Sequence, residues 1–471
     1  MTTLELWYSD GMNVVLISTY ELGHQPFGLA SPVAWLRAAG AHVTCFDLAV
    51  QSSDGPALKH AVTAADLVAL YLPMHTATRL AINLLPRLRA WNPRAHVCCY
   101  GLYAPMNEAF LRELGVVTIL GGEFEQSLVA LYHRLAAKLN DGVQREPSIS
   151  LERQMFHVPD RTSLPPLAEY AWLQLGSERR VAGYTEASRG CKHHCRHCPI
   201  VPVYNGQFRI VQREVVLADV RQQVAAGAQH ITFGDPDFFN GPGHALPIVQ
   251  ALHAEFPTLI YDVTIKVEHL LRYAHHLPVL RDTGCVLVTS AVEAVDDHVL
   301  AIFDKRHSRA DFIAAVQLLR DVGLALNPTF VTFTPWTSRR SYLELLELLW
   351  KLNLVEHVAP IQYAIRLLIP AGSKLLALPE VQSLIGAYDS AALCYPWQHP
   401  EPEMDALFAA VLQTVKQGLA RRMPRFEIFM EVWRCASRQT SMATESTGCF
   451  KPFLYTPSRV PIPSLSEPWY C

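Results

Sequence analysis

The chain has 471 residues, of which 50% are hydrophobic and 18% are charged, and this composition excludes an intrinsically disordered protein. The formal net charge of -3 provides no general electrostatic attraction for nucleic acid or an anionic membrane, so we expect a small-molecule substrate and no nucleic-acid partner. At roughly 150 residues per domain, the length predicts two or three domains.

The start of the chain and its cysteines indicate where the protein works. Residues 1–10 contain neither a basic segment nor an apolar signal core, and no run approaches the roughly 18 consecutive apolar residues of a membrane span. We therefore expect a cytoplasmic protein without a membrane partner. Eleven cysteines in such a chain predict reduced thiols and metal ligands rather than a disulfide framework.

Residues 1–140 alternate short apolar runs with amphipathic stretches, which predicts an α/β fold of the doubly wound, Rossmann-like type. The predicted strands are residues 14–18, 43–48, 67–72 and 96–100. The predicted helices are residues 29–39, 77–90, 106–114 and 125–139. Residues 141–178 are rich in Pro, Arg and Ser with little periodicity, and we interpret them as a linker.

A second alternating series occupies residues 179–372 and predicts a partial (βα)6 barrel with its site at the carboxyl ends of the strands. The predicted strands are residues 181–187, 230–234, 259–267, 286–291, 325–333 and 361–368. The predicted helices include residues 215–225, 269–282, 309–322 and 342–352. Residues 373–471 are interpreted as a mostly helical C-terminal extension with a Pro-rich tail.

Three cysteines directly follow the first predicted barrel strand, at Cys191, Cys195 and Cys198. Thiolates select iron–sulfur clusters or zinc, and three thiolates leave one iron of a four-iron four-sulfur (4Fe–4S) cluster free to bind a substrate. The zinc alternative needs a fourth protein ligand. Three histidines of the same loop could supply it: His193, His194 and His197.

The spacing CxxxCxxC of these cysteines resembles the signature of the radical S-adenosylmethionine (SAM) superfamily, and the resemblance extends over roughly residues 181–370. It implies a 4Fe–4S cluster whose open iron is chelated by the amino and carboxylate groups of SAM. An electron from the reduced cluster would then cleave SAM and generate a carbon radical, with a reductase such as flavodoxin or ferredoxin as a partner. His197 departs from the aromatic or apolar residue that often precedes the third cysteine.

The same resemblance assigns cofactor binding to polar residues and glycines at the ends of the predicted barrel strands. Gly234, Asp235 and Asp237 lie where the family holds the amino group of SAM, although the two carboxylates could instead cap a loop. The other candidates are Lys266, Ser290, Glu293 and Arg366. The pair Lys305–Arg306 could pair with carboxylates, but it fits a solvated face better than a site.

Segments of the N-terminal region resemble the opening of cobalamin-binding domains that are fused to radical enzymes, at residues 26–30, 35–40 and 43–48. Gly121 and Gly122 extend the match, and the resemblance implies that they let the backbone approach cobalamin closely. The family segment DxHxxG, which donates a histidine to cobalt, does not occur, so cobalamin would bind without that ligand. The alternative is a vestigial domain that binds nothing or serves as a lid.

The C-terminal cysteines Cys435, Cys449 and Cys471 are candidate catalytic thiols, although buried cysteine is the default interpretation. The end of the chain resembles the approach to the tail of the CUAEP/CCAEP-tail group, which implies that the chain stops at a recoded codon.

We expect radical methylation or rearrangement of a small molecule, with cobalamin supplying the methyl group. The alternatives are radical alkylation of arsenic or selenium held by these cysteines, and a non-catalytic metal-binding or electron-transfer protein.

Overall fold

The computed structural model describes residues 11–139, 142–437 and 462–466, and its N-terminal part contains a six-stranded parallel sheet. The sheet has the order β2-β1-β3-β4-β5-β6. Its strands are β1 (Asn13–Ser18), β2 (His42–Asp47), β3 (Leu67–Tyr71), β4 (His96–Tyr100), β5 (Thr118–Gly122) and β6 (Ile149–Ser150). The helices of this part are α1 (Phe27–Ala38), α2 (Pro56–Thr63), α3 (His75–Trp91), α4 (Tyr103–Met106), α5 (Glu108–Glu113) and α6 (Glu125–Ala136).

Helices cover both faces of this sheet, which explains why its strands are almost continuously apolar. Alternate residues point to opposite faces, so Val15 and Ile17 pack with α2 and α3, whereas Val14 and Leu16 pack with α1 and α6. This arrangement confirms the predicted doubly wound α/β fold.

The second sheet has seven strands in the order β14-β13-β12-β11-β8-β7-β15, and five of them run parallel as a curled half-barrel. Its parallel strands are β8 (Glu178–Thr185), β11 (His230–Phe233), β12 (Ile260–Thr264), β13 (Cys285–Glu293) and β14 (Ala325–Phe330). The antiparallel edge consists of β7 (Trp172–Leu175) and β15 (Ser464–Leu465). A separate antiparallel pair flanks the cysteine loop, namely β9 (Ser188–Gly190) and β10 (Phe208–Ile210).

Helices pack on the outer face of the half-barrel and continue into the C-terminal extension. The barrel helices are α7 (Val201–Tyr204), α8 (Arg213–Ala225), α9 (Pro242–Glu255), α10 (Val267–Arg272), α11 (Leu277–Asp282), α12 (Asp297–Ile302), α13 (Arg309–Val322) and α14 (Arg339–Lys351). The extension contributes α15 (Pro379–Gln382), α16 (Pro402–Ala420) and α17 (Arg425–Ser437). In the part of the chain that the structure describes, none of the helices meets the length and apolarity that a membrane crossing requires.

The predicted sixth barrel strand, at residues 361–368, is wrong. Pro360–Ala364 form a 3-10 helix instead, and only Arg366 makes a parallel bridge, to Phe333. The side chain of Gln362 explains the difference, because its Oε1 accepts a hydrogen bond from the backbone N–H of Phe330 at 2.8 Å. A side chain thus satisfies a backbone donor that a strand would otherwise pair.

The single helix predicted at residues 269–282 is also wrong. The structure has α10 and α11 with a 3-10 turn between them, at Ala274–His276. Pro278 lies in the first turn of α11, where its missing N–H cannot continue a preceding helix.

Candidate active site

The three cysteines lie on a loop that follows β8 and β9, at the carboxyl end of the first barrel strand. Gly190, directly before Cys191, has a φ of +73°, and a Cβ at this position would collide with the ring of Tyr204. A tight turn follows, in which the N–H of Cys198 donates to the carbonyl of Cys195 at 3.1 Å. The backbone therefore brings all three thiols to one loop at the mouth of the half-barrel.

Two of the thiols, Cys191 and Cys198, are buried enough to disfavour their charged form in the absence of a cation. Burial raises the pKa of Cys191 to about 11, with a further contribution from the Asp237 carboxylate. Burial also raises the pKa of Cys198 to about 12, with a contribution from Cys195. Since a bound metal centre offsets this cost by stabilising the thiolates, the loop has the chemistry of a metal site.

The type of donor distinguishes a cluster from a single metal ion at this loop. Ligand atoms of Cys191, His193 and Asp237 lie within 4.8 Å of one another, close enough to share one metal ion. Three thiolates on one loop are instead the ligands of a 4Fe–4S cluster, in which each thiolate binds a different iron. His194 packs against Gly206, and His197 lies 3.1 Å from Glu293 Oε1. The three cysteines therefore fit a 4Fe–4S cluster.

Asp237 and two histidines form a buried polar group beside Cys191. Asp237 Oδ2 lies 2.6 Å from His269 Nδ1 and 3.6 Å from His193 Nε2. Burial raises the pKa of Asp237, but the two histidines outweigh it, so the net pKa is lowered. None of these three atoms has a well-directed hydrogen bond. They leave hydrogen-bonding capacity for a ligand at the mouth of the barrel.

Asp237 belongs to a turn that also contacts the cysteine loop. Its Oδ1 accepts from the N–H of Phe239 at 3.2 Å and so caps the 3-10 helix Phe238–Asn240. Asn240 Oδ1 accepts from the N–H of Lys192 at 3.2 Å, and its amide donates to the carbonyl of Gly190 at 3.4 Å. Asn240 is a loop-positioning residue that the sequence pattern did not single out.

Lys266 extends this polar group from the end of β12. Its side chain is 6% exposed, and its Nζ lies 3.4 Å from Glu268 Oε2. Glu268 Oε2 in turn lies 3.6 Å from His193 Nδ1. Asp237 thus contacts His193 directly, and Lys266 is linked to His193 through Glu268.

Gly234 and Asp235 make contacts within the half-barrel. The Asp235 carboxylate accepts from the N–H of Ala187 at 2.9 Å and from Ser188 Oγ at 2.5 Å, and burial raises its pKa to about 7. A Cβ at Gly234 would collide with the Tyr184 hydroxyl. These contacts agree with the capped-loop alternative, while a cofactor contact of either residue stays a prediction.

Glu293 lies at the end of β13 in a left-handed conformation, with a φ of +68°. Its Oε1 lies 3.3 Å from Lys305 Nζ and 3.1 Å from His197 Nε2. Lys305 is 3% exposed, so the solvated face predicted for Lys305–Arg306 is wrong for Lys305, whereas Arg306 is exposed. Sequence pattern alone gives no signal for this buried lysine.

Ser290 and Arg366 lie in different surroundings. Ser290 shares a face of β13 with Val288 and Val292 of the hydrophobic core, and its buried hydroxyl has no hydrogen-bond partner. Arg366 Nη1 forms an ion pair with Asp405 Oδ1 at 2.6 Å, and its guanidinium lies 3.7 Å from the ring centre of Trp397. Both roles stay predictions.

Of the three candidate catalytic thiols, Cys435 alone lies in the described part of the chain. Cys435 lies on α17, where its Sγ is 3.4 Å from Thr414 Oγ1 of α16 and packs beside the core of the half-barrel. This placement agrees with the default interpretation of a buried cysteine. Cys449 and Cys471 lie outside the described residues, so their catalytic role stays a prediction.

The carboxyl edge of the N-terminal sheet carries the glycines predicted to bind cobalamin. A Cβ at Gly121 would collide with Pro105, and one at Gly122 would collide with the carbonyl of Ser150. The protein itself therefore requires both glycines. The same edge also contains buried side-chain oxygens without a hydrogen-bond partner, on Ser18, Glu21, Asp47 and Glu123. These oxygens fit a polar ligand in the crevice at the strand ends.

A buried ion-pair network joins this edge to the cysteine loop. The Arg189 guanidinium donates to both oxygens of Glu125, at 2.7 and 3.0 Å, and to Glu186 at 2.6 Å. The Tyr204 hydroxyl donates to Glu123 at 3.0 Å, and burial raises the pKa of Glu123 to about 7. Arg189 precedes the cysteines and Tyr204 follows them, so both sides of the loop contact the N-terminal domain.

Segments later in the chain fix the middle of the cysteine loop. The N–H of Arg196 donates to the carbonyl of Phe303 at 2.9 Å. The carbonyl of Arg196 accepts from the N–H of Leu375 and from Ser373 Oγ, both at 3.2 Å. The loop is thus held between the N-terminal domain, the half-barrel and the C-terminal extension.

Residues 185–349 match the model of the radical SAM superfamily, and this region includes the three cysteines and most of the half-barrel. Together with the loop geometry, the match identifies a radical SAM domain at these residues of the chain. Proteins of this superfamily use a 4Fe–4S cluster and SAM.

The chain is also similar to individual radical SAM proteins. Hopanoid C-3 methylase of Methylococcus capsulatus is 24% identical over 328 residues, which cover 67% of this chain and 62% of that protein. The chain therefore spans less than two thirds of the length of this relative.

Two solved structures share the fold. The cobalamin-dependent SAM radical enzyme OxsB, with aqua-cobalamin and SAM bound, has a TM-score of 0.70 at 16% identity, over 87% of this chain and 67% of that chain. The radical SAM methyltransferase TsrM from Kitasatospora setae has a TM-score of 0.62 at 16% identity, over 86% and 89%.

Proposed function

We propose that this radical SAM enzyme is cobalamin-dependent and transfers a methyl group to a small-molecule substrate. The observation that carries the proposal is the contact between the cysteine loop and the carboxyl edge of the N-terminal sheet, made by Arg189 with Glu125 and by Tyr204 with Glu123. A ligand in the crevice of that sheet would lie beside the cluster loop. The orphaned oxygens of Ser18, Glu21, Asp47 and Glu123 support a ligand at this edge.

In this proposal, different residues of the chain bind the cluster and SAM. Cys191, Cys195 and Cys198 hold the cluster, the Asp237 carboxylate accepts a hydrogen bond from the amino group of SAM, and the buried Lys266 balances its carboxylate. When bound, the cluster supplies the electron that cleaves SAM, and cobalamin carries the methyl group. The half-barrel and the N-terminal domain exclude water from the reacting groups. A small electron-transfer protein such as flavodoxin or ferredoxin would reduce the cluster.

The relatives agree with this proposal. The curated relative is a methylase, and the OxsB structure contains aqua-cobalamin. A TsrM structure contains cobalamin and a 4Fe–4S cluster, and the protein is itself a methyltransferase.

The test is anaerobic purification and reconstitution with iron, sulfide and hydroxocobalamin, followed by metal analysis. We expect about four irons per chain from a single 4Fe–4S cluster, together with one cobalt. Incubation with SAM and a reductant should yield 5′-deoxyadenosine and S-adenosylhomocysteine. Cys191→Ser should lose iron and both products, whereas the matched thiol variant Cys394→Ser should retain them. A fully loaded cluster in a chain that takes up no cobalt would contradict the cobalamin proposal and favour the vestigial domain.

A further inference from the structure

Lys305 is a buried cation next to the cysteine loop. It lies between Asp304 and Arg306, whose φ values of +53° and +57° are both left-handed. A left-handed conformation is unfavourable for such residues, because it brings Cβ too close to the following carbonyl oxygen. The backbone thus adopts an unfavourable turn that places the Lys305 side chain, 3% exposed, in the interior.

One carboxylate from another element pairs with the Lys305 ammonium and also contacts the cysteine loop. Glu293 Oε1, at the end of β13, lies 3.3 Å from Lys305 Nζ and 3.1 Å from His197 Nε2. His197 lies between Cys195 and Cys198 in the sequence, and its ring stacks on Phe303 with centroids 4.3 Å apart. The ion pair is therefore linked directly to the loop that carries two of the three thiols.

The charge of Lys305 lies near the cysteine loop, because the same Glu293 oxygen contacts both the ammonium and His197 of that loop. Water screens a buried charge poorly, so its effect on a neighbouring group is large.

We propose that Lys305 raises the reduction potential of the cluster, and that Glu293 is a positioning residue which holds the ammonium next to the cysteine loop and offsets part of its charge. Reduction adds one negative charge to the cluster, and a buried cation stabilises the reduced state more than the oxidised state. The proposal rests on the cluster-binding part of the proposed function and is independent of cobalamin and of methyl transfer.

The test compares reduction potentials of the reconstituted full chain, measured by electron paramagnetic resonance during a redox titration without SAM. Lys305→Met should lower the ratio of reduced to oxidised cluster at a given potential about tenfold, which equals about 59 mV for one electron. Glu293→Gln should shift the potential in the opposite direction, because it removes the anion and leaves the cation. The double variant should return towards the wild type, and Lys305→Arg should stay within threefold of it.

Lys192→Met is the matched control, because Lys192 lies on the same loop but is exposed. Its effect should be less than threefold, since solvent screens its charge. Shifts of the same sign in Lys305→Met and Glu293→Gln, or an equal effect of Lys192→Met, would overturn the proposal. If Lys305→Met binds less iron than the wild type, two other variants test the proposal. The reduction potential should rise in Glu293→Gln, and that of Lys305→Arg should stay near the wild-type value. A wild-type cluster that does not assemble would instead contradict the proposed function.

Discussion

His24 lies in the loop after β1, and its ring stacks on Tyr184 of β8 with centroids 4.9 Å apart. Burial lowers the pKa of His24 to about 4, with His230 adding to the decrease and Asp262 opposing it. An unfolded histidine titrates near pH 6.5, so the unfolded chain binds more protons than the folded chain between pH 6.5 and 4. The stability contributed by neutral His24 is therefore complete above about pH 6.5 and is lost as the pH falls towards 4.

We expect His24→Phe to reduce the pH dependence of the free energy of unfolding by about 2 kcal/mol between pH 6.5 and 5. Phenylalanine retains the stacking on Tyr184 and cannot be protonated. Urea unfolding at the two pH values measures the difference, and His60→Gln, on the exposed side of α2, serves as the control. Equal pH dependence in the wild type and His24→Phe would contradict the prediction.

Individual residues differ in how far the sequence reveals them. The cluster cysteines can be predicted from the sequence because Cys191, Cys195 and Cys198 lie on one loop, so their spacing alone indicates the site. The burial of Lys305 cannot be predicted in this way, because it depends on a backbone turn and on a carboxylate twelve positions earlier, at Glu293. Asp235 was predicted at the site for its charge, but local geometry directs its carboxylate to Ala187 and Ser188.

At the scale of elements, the contact between β9 and α6 depends on one buried ion pair. Arg189 and Glu125 have side chains that are 8% and 0% exposed. Arg189→Met leaves the carboxylates of Glu123, Glu125 and Glu186 buried without their cation, so we expect a loss of about 3–5 kcal/mol in the free energy of unfolding.

Urea unfolding of Arg189→Met should be compared with that of Arg221→Met, which removes an exposed ion pair with Glu255. The control should lose less than about 1 kcal/mol, because surface ion pairs contribute little. Similar losses in the two variants would show that the Arg189 network does not stabilise the contact.

The elements that the sequence pattern misses share a physical cause. The strand β5 (Thr118–Gly122) ends in two glycines, which have low strand propensity, so only its burial between neighbouring strands favours an extended conformation. The apolar run at 361–368 has the pattern of a strand, yet the Gln362 amide takes the place of strand pairing. Long periodic helices such as α13 (Arg309–Val322) match their prediction, because their pattern is local.

At the scale of the whole molecule, the half-barrel depends on the N-terminal domain. Val203 and Tyr204, directly after the cysteine loop, pack in the core of that domain. Two of the carboxylates near Arg189, on Glu123 and Glu125, also come from it. We therefore expect a chain that starts at residue 142 to aggregate and to bind little iron, because both an apolar surface and a buried cation lose their partners.

Size-exclusion chromatography and iron analysis test this expectation against the full chain. Adding Arg189→Met to the truncated chain should recover part of the soluble fraction, since the substitution removes a guanidinium that has lost Glu123 and Glu125 and keeps only Glu186. A monomeric truncated chain with the iron content of the full chain would contradict the dependence.

The bonds from Ser373 and Leu375 to the carbonyl of Arg196 have a consequence for how the enzyme is made. Ser373 lies 177 positions after Arg196, which a ribosome needs roughly 9–35 s to add at about 5–20 residues per second. The nascent loop emerges long before the segment that closes over it. We therefore expect iron and sulfide to be inserted only after this segment has left the ribosome, so that the immature loop is the stage most exposed to oxygen and to competing metals.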